Sequence, residues 1–245
     1  MRVSVDLRVI LFPVLLLVCS SIPGLAAETG ALPEGAPGVF GDDGRVTVDS
    51  AVWPWQAIGL LQRKAGGACT ATLISENAVL TAAHCLFDRR GGRQLAPSEV
   101  RFLAGYRDGK AVAAALAQGF ILHSNHGQSA PTIKDMQTDW AIVVLRKPLL
   151  IRPLPLRALP SRTGNHDPAV GWAVARAGYS EDRPTALSVD PSCRVLHRDV
   201  ADRFLFTDCD TLKGDSGSPL LAQGSDEPAV IGVVSGLLED DRGRP

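Results

Sequence analysis

The chain is poor in aromatic residues, which make up 5% of 245 residues, and it has no surplus of charge of either sign. Its 25 basic and 26 acidic side chains leave a net charge of −1, so composition gives no reason to expect nucleic acid or an anionic membrane as a partner. Long hydrophobic runs are also missing. The longest candidate, Val9 to Val18, is interrupted at Pro13 and is too short to span a bilayer, which argues against a membrane anchor. No segment has helix-length apolar periodicity, no internal repeat is visible, and no added interaction module follows the last strand candidate. What is abundant is turn chemistry: 24 glycines and 17 prolines fit many short strands joined by turns.

Arg2 and Arg8 before the apolar run, with Gly24, Ala26 and Ala27 after it, have the layout of a secretory signal peptide. Residues 1–27 are therefore read as a signal, cut after Ala26 or Ala27, and the mature protein is expected outside the cytoplasm, secreted or periplasmic. Cys19 does not make a lipoprotein signal, because Val18 stands where a small residue is needed. The cysteines that remain after the signal are Cys69, Cys85, Cys193 and Cys209, an even set that predicts disulfides in an exported chain.

Residues 28–45 are Gly- and Pro-rich, acidic and low in large apolar side chains, and read as a flexible prosegment or tail. Short β-rich runs follow: Ala57 to Leu61, Cys69 to Ile74, Ala78 to Thr81, Val100 to Tyr106, Ala111 to Ala117, Gly119 to Leu122 and Trp140 to Leu145. A Pro-rich connector from Lys147 to Pro160 separates them from a second set at Ala173 to Gly178, Ser192 to His197, Arg203 to Thr207, Pro219 to Leu221 and Val230 to Val234.

Three stretches carry chemistry. Lys213-Gly214-Asp215-Ser216-Gly217-Ser218-Pro219 sets a serine in a tight turn between glycines, where the Gly214 and Ser216 N–H groups can converge on a developing oxyanion. A serine hydroxyl alone is a poor nucleophile and needs a base with an orienting partner. His84, within Val79-Leu80-Thr81-Ala82-Ala83-His84-Cys85, offers the base, and Asp139, opening the run from Trp140 to Leu145, offers the orienter, with Asp135 as its nearest rival. His123 and His126 form an H-x-x-H pair without a third ligand, so no metal is assigned, and His166 and His197 have no constellation around them.

His84, Asp139 and Ser216, in that order and in those settings, resemble the trypsin/chymotrypsin-like serine peptidases. The likeness covers roughly Val46 to Leu237. Asp208-Cys209-Asp210-Thr211, the Gly-Asp-Ser-Gly-Ser-Pro run and Ala177-Gly178-Tyr179-Ser180 bring it nearest to the bacterial secreted branch that includes the glutamyl endopeptidases. The resemblance implies an all-β fold of two packed antiparallel, six-stranded-type barrels, one over about 46–147 and the other over about 160–245. Only Leu238 to Pro245 follows the pocket strand, where the family continues with a further strand, so the second barrel is expected to close differently or to be shortened. It implies peptide-bond hydrolysis with no cofactor, a polypeptide substrate and a monomer. It also implies a bridge from Cys69 to Cys85, which leaves Cys193 with Cys209.

In such enzymes a cut before a β-branched residue frees an ammonium that pairs with the carboxylate preceding the nucleophile. Here that would mean processing at Arg45-Val46 and pairing of Val46 with Asp215, although Val46-Thr47-Val48-Asp49 departs from the usual Ile-Val-Gly-Gly, and an uncut or trimmed tail is the alternative. By the same resemblance Asp210 lies at the base of the specificity pocket and selects Arg or Lys, with small or apolar residues next. Glu preference ranks last, because Val234-Ser235 lacks the histidine that the glutamyl branch carries before this serine, and Gly236-Leu237 replaces Trp-Gly. The contrasting reading is a secreted binding protein on a protease scaffold, without catalysis.

Overall fold

The computed structural model describes residues 38–64, 66–88, 92–122, 137–164, 166–199, 204–224 and 227–237. Residues 1–27, Asp135, His123 and His126 therefore lie outside the described residues. Six strands close a barrel in the order β2-β3-β4-β7-β6-β5. They are β2 (Ile58–Arg63), β3 (Ala68–Ser75), β4 (Ala78–Thr81), β5 (Val100–Ala104), β6 (Ala113–Leu122) and β7 (Ala141–Leu145). Alternation sets the inner face of β7: Ala141, Val143 and Leu145 are buried, while Ile142 and Val144 are half-buried. Antiparallel pairing of Leu61 with Phe102 closes β5 onto β2.

The remaining strands form a six-stranded antiparallel sheet in the order β1-β9-β8-β11-β12, with β10 pairing β9. Their spans are β1 (Val46–Thr47), β8 (Ala173–Gly178), β9 (Ser188–Arg198), β10 (Leu205–Thr207), β11 (Pro219–Ala222) and β12 (Ala229–Val233). This sheet is open. Among the described residues, the outer edge of β12 meets an isolated parallel bridge from Leu156 to Val230. One core cluster serves both halves, running from Ile58, Leu73 and Phe102 to Ala177, Leu187 and Leu221, and a smaller one surrounds Cys193 and Cys209.

Sequence boundaries shift in three places. The expected strands 111–117 and 119–122 are one strand, β6, whose register slips between Ala117 and Gly119. β9 begins four residues earlier than Ser192 and runs through Pro191, which lies where its strand makes no ladder pair to β8. The third concerns residues 38–45, read as a tail: Val39 and Arg45 are buried, at 4% and 5% exposure, so the domain starts before Val46. Gly- and Asp-rich composition hid this, because the segment buries little apolar surface beyond Val39 and is otherwise held by hydrogen bonds.

Phe102 is fully buried where β5 closes the barrel. Phe102→Ala is expected to cost about 3–5 kcal/mol, read as a lowered urea midpoint at unchanged slope.

Candidate active site

β4 and β7 pair with Thr81 opposite Ala141, so the chain leaving β4 and the chain entering β7 lie side by side at one barrel end. A short 3-10 turn, Ala83–Leu86, follows β4 and carries His84. Disulfide bonding of Cys85 to Cys69 on β3, with Cα atoms 6.2 Å apart, fixes that turn to the barrel. Asp139 accepts two hydrogen bonds from His84, from the backbone N–H at 2.8 Å and from Nδ1 at 2.7 Å. The Ser235 hydroxyl donates to the same carboxylate at 2.5 Å. Burial pushes the Asp139 carboxyl up, but the His84 ring and the Ser235 hydroxyl outweigh it and hold the group below its ordinary value. An ionised carboxylate only accepts, so Nδ1 carries the ring proton and the Nε2 lone pair faces outward. The His84 side chain is 40% exposed, open to a reactant.

Ser216 reaches this corner from the second sheet. The Cys85 Sγ lies 3.8 Å from His84 Nε2 and 3.8 Å from the Ser216 carbonyl oxygen. Thr70 on β3 clamps the serine loop to the barrel: its N–H donates to Ser216 O at 2.9 Å and its hydroxyl to Gly214 O at 3.1 Å. Close approach requires glycine on both sides. A Cβ at Gly217 would collide with the Thr70 carbonyl, and one at Gly214 with the Tyr179 carbonyl, and both residues have positive φ (84° and 94°). The Gly214 and Ser216 N–H groups donate to no acceptor among the described residues. The Ser216 hydroxyl likewise makes no side-chain hydrogen bond there.

Asp215 has no exposed side-chain surface. Its carboxylate accepts from Arg176 Nη1 at 2.8 Å, the Ser180 hydroxyl at 2.8 Å and the Leu212 N–H at 2.9 Å. Burial pushes this carboxyl up, and the Arg176 charge pulls it back. Arg176 is itself fully buried on β8, its Nε donating to Asp210 O. In the continuous chain Val46 lies in β1 opposite Val189, 49% exposed, and a guanidinium from within the sheet pairs with Asp215; the pairing expected of a freed Val46 belongs to a chain cut at Arg45–Val46.

The reading of Asp210 as a pocket base is corrected on similar grounds. Its two carboxylate oxygens accept the N–H groups of Phe40 and Gly44, at 2.8 and 3.1 Å, so it faces the 38–45 segment. Burial raises its pKa, and those two donors work against the rise. Ser235 lines the cleft beside this corner and also turns its hydroxyl onto Asp139. A cleft of about 450 Å³ beside this corner is lined by Phe40, Trp140, Leu156, Phe206, Val233 and Leu237, among others, and Asp210 is not one of its walls. The second pair of cysteines, Cys193 and Cys209, is bonded across 4.8 Å between Cα atoms and braces the chain that enters the serine loop. Sequence reading missed Thr70 and Arg176. A charged residue inside the otherwise apolar Ala173–Gly178 was the available signal for the latter.

This fold and corner define the class of the trypsin-like serine peptidases. The trypsin family model matches residues 43–245, and the chain belongs to that family. Among curated proteins it is similar to Trypsin alpha of Drosophila erecta, 26% identical over 237 residues, covering 86% of this chain and 84% of that protein. It is also similar to Transmembrane protease serine 11C of Mus musculus, 28% identical over 194 residues and 71% of this chain; the match spans only 42% of that protein's length. Its fold is like that of a solved Glu endopeptidase in complex with MPD, with a TM-score of 0.68, 24% identity, and coverage of 84% of this chain and 89% of that one.

Removing the buried partner of Asp215 leaves an uncompensated charge. Arg176→Met is expected to destabilise the fold by about 3–5 kcal/mol, measured by chemical denaturation.

Proposed function

We propose that this chain is an exported serine endopeptidase that cleaves polypeptides through an acyl-enzyme formed on Ser216. The observation that carries the reading is the doubly bonded His84–Asp139 pair set beside a serine loop whose Gly214 and Ser216 N–H groups have no acceptor among the described residues. In the proposed sequence the Ser216 oxygen attacks the scissile carbonyl carbon and its proton passes to His84 Nε2. Asp139 keeps the proton on Nδ1 and stabilises the imidazolium. The two N–H groups take up the negative charge on the carbonyl oxygen, and the intermediate collapses as His84 gives its proton to the departing amine. Water, deprotonated by the same ring, then releases the acid product. The Ser216–His84 hydrogen bond that starts this sequence is commonly long in free enzymes and tightens once substrate binds.

Two disulfides and the layout of residues 1–27 support export. Substrate preference follows from Asp210. With both its oxygens engaged by residues 40 and 44 and apolar side chains lining the cleft, the proposed site favours uncharged residues before the cut bond over Arg or Lys.

A serine-reactive fluorophosphonate is expected to label the exported protein, with labelling abolished in Ser216→Ala. Correctly folded protein that takes no label would assign the chain to the non-catalytic scaffold reading. In a peptide library, Arg and Lys are expected to rank low before the cleaved bond, with Asp210→Asn leaving the ranking unchanged. A preference led by Arg and Lys that the substitution removes would overturn the pocket assignment.

A further inference from the structure

In a trans peptide unit the N–H points opposite to the carbonyl of the preceding residue, so a loop can aim an N–H by tethering that carbonyl. Residues 213–216 are tethered at four consecutive carbonyls. Lys213 O accepts from the Glu181 N–H at 2.6 Å, and Gly214 O from the Thr70 hydroxyl at 3.1 Å. Asp215 O accepts from the Ser218 N–H at 2.8 Å, and Ser216 O from the Thr70 N–H at 2.9 Å. The first and third of these bonds hold the peptide units that carry the Gly214 and Ser216 N–H groups. The second is the one made by a side chain. It falls on Gly214, whose missing Cβ leaves many backbone conformations open and which here takes a φ of 94°. Thr70 is fully buried, and its hydroxyl also accepts the Tyr179 N–H at 2.9 Å. The Thr70 carbonyl is held in turn by the Thr81 hydroxyl at 2.8 Å.

We infer that Thr70 is a positioning residue for the oxyanion donors: its hydroxyl, seated on the Gly214 carbonyl, keeps the Gly214 and Ser216 N–H groups aimed at one point. The inference rests on the proposed roles of Ser216 and of those two N–H groups. The peptide unit that contains the Gly214 carbonyl stands between the two units that carry the donors, so a rotation there would turn the donors apart. A hydroxyl suits this place because one atom must accept from Tyr179 and donate to Gly214 at the same time, which ties the loop both to β3 and to the chain leaving β8. A methyl group does neither, and leaves a buried N–H and a buried carbonyl without these partners. The hydroxyl makes no hydrogen bond to His84 or Asp139 among the described residues, so its loss acts on the oxyanion side of the site and leaves the base alone.

The test compares the exported protein with Thr70→Val, Thr70→Ala and Thr70→Ser, each checked for native folding by near-ultraviolet circular dichroism. Three readouts are taken. They are kcat and KM on a peptide ester, the midpoint of the acid limb of kcat/KM, and Ki for a peptide aldehyde, whose adduct with the serine places an oxygen where the oxyanion forms. Thr70→Val and Thr70→Ala are expected to lower kcat by about tenfold to a hundredfold with KM within about threefold, and to raise Ki by a similar factor. Thr70→Ser recovers most of the lost kcat, and the pH midpoint stays in place in all three. Should the valine methyl prevent folding, Thr70→Ala and Thr70→Ser differ by the hydroxyl alone and decide the matter. Equal kcat in Thr70→Ala and Thr70→Ser, or a loss accompanied by a moved pH midpoint, overturns the inference. If the exported protein itself takes no fluorophosphonate label and hydrolyses nothing, the reading of Ser216 falls separately. Hydrogen exchange of the Glu181 and Ser218 amides, which hold the donor peptide units, then decides alone. Faster exchange in Thr70→Ala that Thr70→Ser restores supports the inference, and equal exchange in the two refutes it.

Discussion

The structure depends on one buried carboxylate. Asp215 stands next to Ser216 in the chain and has no contact with solvent, a placement that is unfavourable unless its charge is met at close range. Arg176 on β8, the Ser180 hydroxyl just beyond that strand and the Leu212 N–H meet it. These contacts are what turn a Gly-rich loop, which has many accessible conformations, into a fixed turn. The Gly214 and Ser216 N–H groups, proposed to bind the oxyanion, stand on that turn. A site of this kind works by presenting donors already in place, and here the order comes from charge pairing beneath the loop.

The two halves of the domain meet through main-chain contacts that only small residues permit. Thr70 binds the carbonyls of Gly214 and Ser216, and its own carbonyl accepts from Thr81 at 2.8 Å. Gly217 leaves the space in which these groups approach. His84 and Asp139 are set by the closed barrel through the β4–β7 register, and Ser216 by the open sheet. Thr70 therefore couples the placement of the base to the placement of the nucleophile, although it takes no part in the proposed chemistry.

Much of this was legible in the sequence, and for physical reasons. His84 and Ser216 sit in local motifs that the chemistry itself demands, a histidine beside a tied cysteine and a serine between glycines. Asp139 announces itself by the apolar strand that follows. The strands of the barrel follow from alternation and turn residues. What stayed hidden depends on long-range partners. Arg176 reads as an odd charge in an apolar strand until the fold places it under residue 215, 39 positions later. Residues 38–45 look like a tail because Val39 and Phe40 are their only large apolar side chains and the rest of their docking uses amides and guanidinium groups. Asp210 occupies the sequence position of a pocket residue, yet its direction is set by the Phe40 and Gly44 N–H groups, which no local pattern reveals.

The central claim is that Ser216, on the turn held by the Asp215 contacts, is the nucleophile of the proposed peptidase. It is tested most directly by treating the exported protein with diisopropyl fluorophosphate, then locating the adduct by peptide mass mapping and reading the N-terminus of the modified molecules. The account predicts a single adduct, on Ser216, and none in Ser216→Ala. Correctly folded protein that carries no adduct at Ser216 would contradict it.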